Sequence, residues 1–338
     1  MVTMMGNQLL FTVRDLRKWF PIRRGILDVL KRRPRLYVHA VDRISFTIKR
    51  REIFGLVGES GSGKTTTGKL LIRLLDPDEG EIIFHEDGNS VDLAKLSSKE
   101  LRPYRKKLQI IYQDPYGSLN PRMRIRDIVA EPLEYLEPEL TSEERLERVI
   151  ETLKLVRLTP VEEFLNKFPH QLSGGQRQRV AIARAIILRP SFVVADEPVS
   201  MIDVSMRAGI LNLLNEMREK LGISFLYITH DLATAGYITD RIAVMYLGKI
   251  FEIGPSERIL KNPMHPYTQA LISAIPEPDP TKKRKRILLR GEIPSPIFIP
   301  SGCRFRTRCP IAREICKKKE PNFVEIEPNH FVACHQYS

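Results

Sequence analysis

The chain has 338 residues, of which 42% are hydrophobic and 28% are charged, a composition typical of soluble globular proteins and not of disordered or fibrous ones. Its longest apolar runs, such as ISFLYITH, are far shorter than the roughly 20 residues of a membrane-spanning helix, and no secretory leader is apparent, so we expect the protein to stay in the cytosol. The formal net charge of +13, concentrated in basic clusters at 23–35 and 282–286, is compatible with nucleic-acid or membrane contact and with solvated segments, and it does not decide between them.

Strands and helices are predicted to alternate over about 8–255. Short β-branched runs are followed by helical patterns, which favours an α/β fold with a mostly parallel sheet. Within it, about 115–172 has a helical pattern throughout, and Thr141 to Glu144 has the form of a capping box. The apolar residues predicted to share one face of the following helix are Leu146, Val149, Ile150 and Leu153. The sequence therefore predicts an α/β core with a helical insert.

The first chemical motif is GESGSGKT at 58–65. An apolar strand over 53–57 leads into it and an amphipathic helix follows, which is the context that a P-loop requires. Its backbone N–H groups would surround phosphates, Lys64 would reach the β and γ oxygens, and the Thr65 hydroxyl would bind Mg²⁺. The predicted nucleotide-binding residues of this loop are Gly58, Ser60, Gly61, Ser62, Gly63, Lys64, Thr65 and Thr66. The motif predicts binding of a nucleoside triphosphate with Mg²⁺.

Two polar features follow. Gln113 ends an apolar run at the entrance to the helical insert, where its amide could contact the attacking water or the Mg²⁺ shell. Further along, LSGGQ has a serine N-cap candidate and two glycines before a helix, a pattern suited to holding an anion. Its predicted binding residues are Ser173, Gly174, Gly175 and Gln176. The chain thus has a second anion-binding pattern besides its P-loop.

An acidic pair follows a buried strand in SFVVADEPVS. Asp196 and Glu197 would lie at the carboxyl end of that strand, where open α/β sheets hold ligands. Asp196 would hold Mg²⁺ through its water shell, and Glu197 could act as general base toward the attacking water. His230 follows the strand predicted at 225–228 and precedes a helix capped by Asp231. An imidazole there could donate to a γ-phosphate and order the water.

Together these motifs resemble those of ATP-binding cassette (ABC) ATPases. Walker A, the glutamine loop, LSGGQ, Walker B with its glutamate, the D-loop ending at Asp203, and the histidine occur in that family's order. The resemblance implies an ABC-type P-loop NTPase domain with a helical subdomain. It also implies that two such domains sandwich two ATP molecules head to tail, each presenting its LSGGQ to the partner's nucleotide.

The adenine-stacking aromatic of the family would lie about 20–25 residues before Walker A, and Tyr37 is the candidate. Met201 and Ile202 replace the usual Ala-Leu of the D-loop, a departure from which we expect no loss of function.

The tail narrows the resemblance. The stretches HPYTQALISAIPEP, GEIPSP and PSGCRFRTRCP are similar to the carboxyl-terminal region of oligopeptide/dipeptide importer ATPases, in particular the F-type subunits. We therefore predict an ABC ATPase domain over 1–255 and an extension over 256–338. Its prolines predict an extended connector at 276–302.

All four cysteines lie in this extension, spaced C-x5-C-x6-C-x17-C. In a cytosolic chain they favour a metal site over disulfides, and four thiolates suit an iron–sulfur cluster or tetrahedral zinc. The resemblance implies a [4Fe-4S] cluster, which some family members hold, with Zn²⁺ or unligated thiols as alternatives. The candidate ligands are Cys303, Cys309, Cys316 and Cys334, and His330 and His335 could substitute.

The resemblance further implies a peripheral subunit on the cytoplasmic face of the cell membrane. Its partners would be a second ABC ATPase, either a D-type homologue or another copy, two permease subunits and, indirectly, an extracytoplasmic solute-binding protein. The surface facing the permeases would lie at about 113–135. Di- and oligopeptides, nickel chelates and oligosaccharides stay open as solutes.

Two other function classes are less compatible with the sequence. A cassette ATPase acting on nucleic acid or ribosomes would use the positive charge, but the chain has one cassette and no sustained heptads, so we expect no nucleic-acid partner. A redox-sensing regulator would depend chiefly on the cysteines. The intact Glu197, His230 and LSGGQ favour a working ATPase instead.

Overall fold

The computed structural model describes residues 9–24, 34–86, 88–275, 287–289 and 291–337. The centre of the first basic cluster, at 25–33, and all of the second, at 282–286, lie outside the described residues. So do residues 276–286 and residue 290 of the predicted connector. None of the described helices combines the length and apolar character that a membrane crossing demands.

Strands and helices alternate along most of the described chain. The strands are β1 (Leu9–Pro21), β2 (Tyr37–Lys49), β3 (Ile53–Val57), β4 (Glu79–Glu86), β5 (Asn89–Asp92), β6 (Leu108–Ile111), β7 (Phe192–Asp196), β8 (Ser224–Thr229), β9 (Arg241–Tyr246), β10 (Lys249–Pro255), β11 (Phe323–Glu327) and β12 (His330–Ala333). The helices are α1 (Lys64–Leu71), α2 (Pro115–Ser118), α3 (Ile125–Leu136), α4 (Ser142–Leu155), α5 (Glu162–Leu165), α6 (Gly174–Ile186), α7 (Val204–Leu221), α8 (Leu232–Ile238), α9 (Ser256–Lys261), α10 (Pro266–Ser273) and α11 (Ile315–Lys318).

The contacts divide the chain into two compact units. The first unit takes in residues 49–53 and 95–228, and the second takes in 9–48, 54–94 and 229–338. The predicted domain boundary at 255/256 separates the cassette from the extension by their sequence features and not by contacts, and it stays a prediction.

In the first unit, β6, β7 and β8 run parallel in the order β8–β7–β6. Strands β7 and β8 are buried along their whole length, as expected of continuous apolar runs in a parallel sheet. Between β6 and β7 the chain forms the helices α2 to α6. The predicted helical character of 115–172 is therefore confirmed.

The helix α4 is buried along only part of its predicted apolar face. The capping box is present, because the Glu144 N–H donates to Thr141 Oγ1 at 3.2 Å and the Thr141 N–H donates to Glu144 Oε2 at 2.8 Å. Val149 and Leu153 are buried, whereas Leu146, predicted to share their face of the helix, is 43% exposed. The reason is that the first two turns of α4 lie at the surface and burial begins only at Val149.

The second unit contains a sheet in the order β2–β1–β4–β5, in which β4 pairs antiparallel with β1 and β5, and a further group of strands in the order β11–β12–β10–β9–β3. Only the β3–β9 pair of this further group is parallel. The four-stranded sheet β2–β1–β4–β5 was not predicted, and β11 and β12 lie in the extension, beyond the residues 8–255 for which a mostly parallel sheet was predicted. A tight turn explains the β9–β10 hairpin, since Leu247 and Gly248 both have positive φ, at 42° and 79°, as a two-residue hairpin loop requires.

Candidate functional site

The P-loop directly follows β3 and precedes α1, as predicted. Gly63 has a φ of 106°, which residues with a side chain rarely adopt. Backbone also packs closely on the loop: a Cβ at Gly63 would lie 2.0 Å from the carbonyl oxygen of Ala40, and one at Gly58 would lie 2.1 Å from that of Met245. Glycine is therefore required at both positions. The loop presents backbone N–H groups at a helix start, the arrangement that binds phosphate.

Lys64 lies inside the P-loop. Its Nζ donates to the carbonyl oxygens of Gly58 at 2.8 Å and Glu59 at 2.9 Å, and contacts Ser62 Oγ at 3.4 Å. The residue is only 5% exposed. An ammonium held among oxygen acceptors within the loop can exchange them for phosphate oxygens, which form stronger charge-assisted bonds.

The predicted catalytic glutamate and glutamine contact each other. Gln113 Nε2 donates to Glu197 Oε2 at 3.0 Å. Glu197 follows the buried strand β7 and has a φ of 46°, unusual for a residue with a side chain. Its N–H donates to the Ile228 carbonyl at 2.9 Å, and the Ser200 hydroxyl donates to its carbonyl at 3.0 Å. Such strained residues, held by surrounding bonds, occur preferentially at functional sites.

The LSGGQ stretch begins α6, as predicted. Ser173 is the N-cap: its Oγ accepts from the Gln176 N–H at 3.3 Å, and Gln176 Oε1 accepts from the Ser173 N–H at 2.9 Å. A Cβ at Gly174 would meet only the Met201 carbonyl oxygen, at 3.9 Å, so this glycine leaves space beside the helix start. The partial positive charge of the 13-residue helix lies at this end.

The remaining predicted polar residues occupy the ends of strands and helices. Asp196 is the last residue of β7 and is 4% exposed. His230 directly follows β8, and Asp231 caps α8 by accepting from the Ala233 N–H at 2.9 Å. Asp203 is the exposed N-cap position of α7. The predicted placement of these residues along the chain is confirmed, while their catalytic roles stay predictions.

Tyr37 begins β2 within a small aromatic group. Its ring centroid lies 6.3 Å from that of Trp19, which in turn lies 3.8 Å from that of His39. Three residues after Tyr37, the carbonyl of Ala40 packs against Gly63 of the P-loop, so this part of β2 lies beside the loop. Trp19 was not singled out from the sequence. The available signal was that it is the single tryptophan of the sequence, and only the fold shows that β1 and β2 are neighbours in the sheet.

Residues of the carboxyl-terminal extension contact the P-loop, which the sequence motifs did not predict. Both terminal nitrogens of Arg308 donate to the Glu59 carboxylate, at 2.6 and 3.0 Å. The Tyr267 hydroxyl accepts from the Glu59 N–H at 2.9 Å. Nearby, Arg304 donates to the Leu247 carbonyl and pairs with Asp42. The only sequence signal for these contacts was the repeated arginines in CRFRTRC and the tyrosine in HPY.

A buried carboxylate holds the HPY stretch in place. Glu252, fully buried in β10, accepts from the N–H groups of Met264 at 2.8 Å and His265 at 2.9 Å, and its Oε1 lies 2.8 Å from His330 Nε2. Burial lowers the pKa of His265 to about 3, so its neutral Nδ1 can accept from the Tyr267 N–H at 3.0 Å and cap α10. His330 is therefore engaged in a structural contact, which disfavours its suggested use as a metal ligand.

The four cysteines line one cavity of about 250 Å³, together with His265, Phe305 and His335 among others. None of the four forms a disulfide. Burial raises the pKa of Cys303 to about 12 and also raises the pKa values of Cys309 and Cys334. Within the described ranges, no group of three or more His, Cys, Asp or Glu side chains is arranged to hold a metal ion.

Comparison with known proteins identifies the family. Residues 41–200 match the model of the ABC transporter family, and residues 251–316 match that of the oligopeptide/dipeptide transporter C-terminal region. The oligopeptide transport ATP-binding protein AppF of Bacillus subtilis (strain 168) is 46% identical over 340 aligned residues, covering 100% of both chains. The chain belongs to the ABC transporter family. A second relative, the putative oligopeptide transport ATP-binding protein YkfD of the same organism, is 51% identical over 89% of this ABC ATPase and 90% of its own length.

Solved structures agree with this assignment. The dimeric ABC cassette MJ0796, in a post-hydrolysis state bound to ADP and Pi, has a TM-score of 0.61 and 29% identity, covering 73% of this chain and 99% of that one. The structure of cbiO1 from Clostridium perfringens, part of the ABC transporter complex cbiONQ, has a TM-score of 0.62 and 28% identity, covering 75% and 91%. The predicted ABC-type P-loop NTPase fold is confirmed.

Family membership also confirms the predicted activity and setting. The chain is an ATPase subunit that uses ATP and Mg²⁺. It works at the cytoplasmic face of the membrane with a second cassette ATPase, permease subunits and a solute-binding protein.

Proposed function

We propose that this ABC ATPase powers the import of di- and oligopeptides. The supporting observation is the full-length similarity to an oligopeptide transport ATP-binding protein, which extends through the carboxyl-terminal region and is not confined to the cassette. No observation favours the nickel chelates or oligosaccharides that the sequence left open.

Transport assays with the complete importer test this proposal. When the chain is reconstituted in liposomes with its permeases and binding protein, we expect peptide-loaded binding protein to raise ATP hydrolysis several-fold and to drive uptake of labelled peptide. A complex with Glu197→Gln serves as the hydrolysis-deficient control. Stimulation by a nickel chelate or an oligosaccharide, with none by a broad mixture of peptides, would reject the proposed solute class.

Each predicted site residue has a role in this function. Thr65, Gln113 and Asp196 would hold Mg²⁺, which neutralises charge on the β- and γ-phosphates. Glu197 accepts the proton of the attacking water, and its bond to Gln113 orients the carboxylate. His230 donates to the γ-phosphate.

The remaining roles concern the nucleotide's two ends and the second cassette. Tyr37 stacks on adenine, consistent with the closeness of β2 to the P-loop. The LSGGQ residues from Ser173 to Gln176 donate to the γ-phosphate bound by the partner cassette, and the D-loop residue Asp203 lies at the same subunit interface. Association is then favoured while the γ-phosphate is present and weakened after its release. Hydrolysis thereby becomes a cycle of closing and opening.

We further infer that Cys303, Cys309, Cys316 and Cys334 hold a [4Fe-4S] cluster. All four line one cavity, and none is committed to a disulfide. Zinc bound by the same four thiolates is the alternative, because four cysteines suit either group. A bound cation would also reverse the effect of burial by stabilising the thiolates. A bound cluster would link four separate positions of the carboxyl-terminal segment and so stabilise a segment that has only a small hydrophobic core.

Metal analysis decides between the cysteine alternatives. Protein purified without oxygen is expected to contain about four irons and four sulfides per chain and to absorb visible light, and Cys309→Ser is expected to lower both contents. A chain with zinc and no iron, or with neither metal, would contradict the cluster.

A further inference from the structure

Glu59, the second residue of the P-loop, is held by the carboxyl-terminal extension at two separate points. Its carboxylate receives two parallel hydrogen bonds from Arg308, the bidentate geometry that makes arginine–carboxylate pairs both strong and directional. Its backbone N–H donates to the Tyr267 hydroxyl at 2.9 Å. The arginine side chain is 8% exposed and the glutamate side chain 24% exposed, so water competes only weakly for the pair. Both holding residues lie more than 200 positions further along the chain.

Arg308 is itself fixed by its surroundings. Its N–H donates to the Phe305 carbonyl at 2.9 Å, and its guanidinium lies 5.8 Å from the ring centroid of Tyr246. Phe305 is fully buried and contacts the rings of both Tyr246 and Tyr267. The hydrogen bonds to Glu59 raise the pKa of Arg308 above its usual value, so the guanidinium stays charged. The arginine is therefore a rigid support.

Tyr267 supports the loop from the second point. It is fully buried in α10, and the chain before it is pinned by the hydrogen bonds of Met264 and His265 to Glu252. Burial raises the pKa of the Tyr267 hydroxyl, which therefore stays protonated and keeps its lone pairs for the Glu59 N–H.

These contacts reach the phosphate-binding lysine through a single residue. The Glu59 carbonyl accepts from Lys64 Nζ at 2.9 Å, and its N–H and carboxylate are held by the extension. Every polar group of Glu59 is thus engaged. A shift of Glu59 would move the loop backbone and the lysine acceptor together.

We propose that Arg308 and Tyr267 are positioning residues for ATP, which hold the P-loop in its phosphate-binding shape through Glu59. A preformed loop binds ATP without first losing conformational entropy, so loosening it weakens affinity. The proposal rests on ATP binding at the P-loop and requires neither the iron–sulfur cluster nor a particular solute. It gives the extension a role at the nucleotide site.

A double-mutant cycle tests the proposal in the full-length chain. Arg308→Gln is expected to weaken ATP binding about tenfold, because a charge-assisted pair is lost, while kcat at saturating ATP stays within about twofold of the wild type. In a Glu59→Gln background the same change is expected to add little, since the pair is already broken. Arg308→Lys is expected to recover part of the affinity. The dissociation constant is measured with a fluorescent ATP analogue, and KM and kcat by phosphate release.

Two further variants keep the result interpretable. Arg306→Gln is the matched control, because Arg306 lies in the same segment but donates to Ser301 and not to the P-loop, so ATP affinity should not change. Tyr267→Phe removes the hydroxyl and keeps the packed ring, and should weaken ATP binding without lowering the melting temperature appreciably.

Three outcomes would overturn the proposal: unchanged ATP affinity in a folded Arg308→Gln protein, independent effects of Arg308→Gln and Glu59→Gln, or an equal loss with Arg306→Gln. Failure of the nucleotide assignment itself is distinguishable. In that case Lys64→Ala would also bind ATP normally.

Discussion

Glu197→Gln is expected to lower kcat for ATP hydrolysis by at least about 100-fold, because general-base catalysis commonly contributes that much and an amide cannot accept the proton of the attacking water. The substitution keeps the size of the side chain and a hydrogen-bonding partner for Gln113, so ATP binding should persist. The left-handed conformation at position 197 depends on bonds from the backbone and from Ser200, which the substitution leaves intact. The measurement is phosphate release at saturating Mg-ATP.

The same variant is expected to accumulate as an ATP-bound dimer, because the nucleotide that joins two cassettes is no longer consumed. Sedimentation with and without Mg-ATP measures this. Glu219→Gln is the matched control, since Glu219 lies in an exposed pair with Arg218 on α7 and should leave both rate and assembly unchanged. Wild-type turnover in Glu197→Gln would refute the assignment of the base. A strictly monomeric ATP complex would refute the shared nucleotide.

Lys64→Ala is expected to weaken ATP binding at least about 100-fold, because an ammonium that can bond two phosphate oxygens is lost from a buried position. Titration calorimetry with ATP measures the loss. The variant also leaves the carbonyls of Gly58 and Glu59 without this donor, so its thermal unfolding must be recorded beside the binding.

Lys69→Ala is the control for this change, because Lys69 lies on the same helix α1 but in its last turn. Normal folding and normal ATP affinity are expected for it. Undiminished ATP binding by a folded Lys64→Ala protein would show that the P-loop is not the nucleotide site. Together the glutamate and lysine variants separate chemistry from binding, since the first should affect kcat and the second the dissociation constant.

Local patterns were sufficient for the elements that carry the motifs. The strand β3 runs over Ile53–Val57 as predicted, and Ser173 and Asp231 cap the helices expected after them. These features depend on short-range physical chemistry: a run of apolar residues buries itself as a strand, and a side-chain oxygen satisfies the first N–H groups of a helix. The same reasoning did not show that Leu146 is exposed, because helical periodicity shows which residues share a face but not where along the helix burial begins.

The direction in which strands pair and the contacts between distant residues could be known only from the fold. The sequence did not predict the separate sheet β2–β1–β4–β5 or the antiparallel addition of β11 and β12 beside β10, because pairing depends on how the strands are connected in space. Gln113 and Glu197 were each predicted as catalytic residues, but their contact, across 84 positions, was not. The roles of Thr65, Asp196 and His230, inferred from the chemistry of their motifs, stay predictions.

By itself, the sequence determined the chemistry available to this protein: a P-loop lysine, an acidic pair at a strand end, a glycine-rich helix start and four thiols in its tail. These are properties of short segments, and short segments determine their own conformation through capping, burial and glycine geometry. Only the tertiary structure decided that the four thiols share one cavity and that Arg308 and Tyr267 meet at Glu59 of the P-loop. Such contacts depend on the packing of segments that are far apart in the chain. Residue types and their spacing do not specify that packing directly.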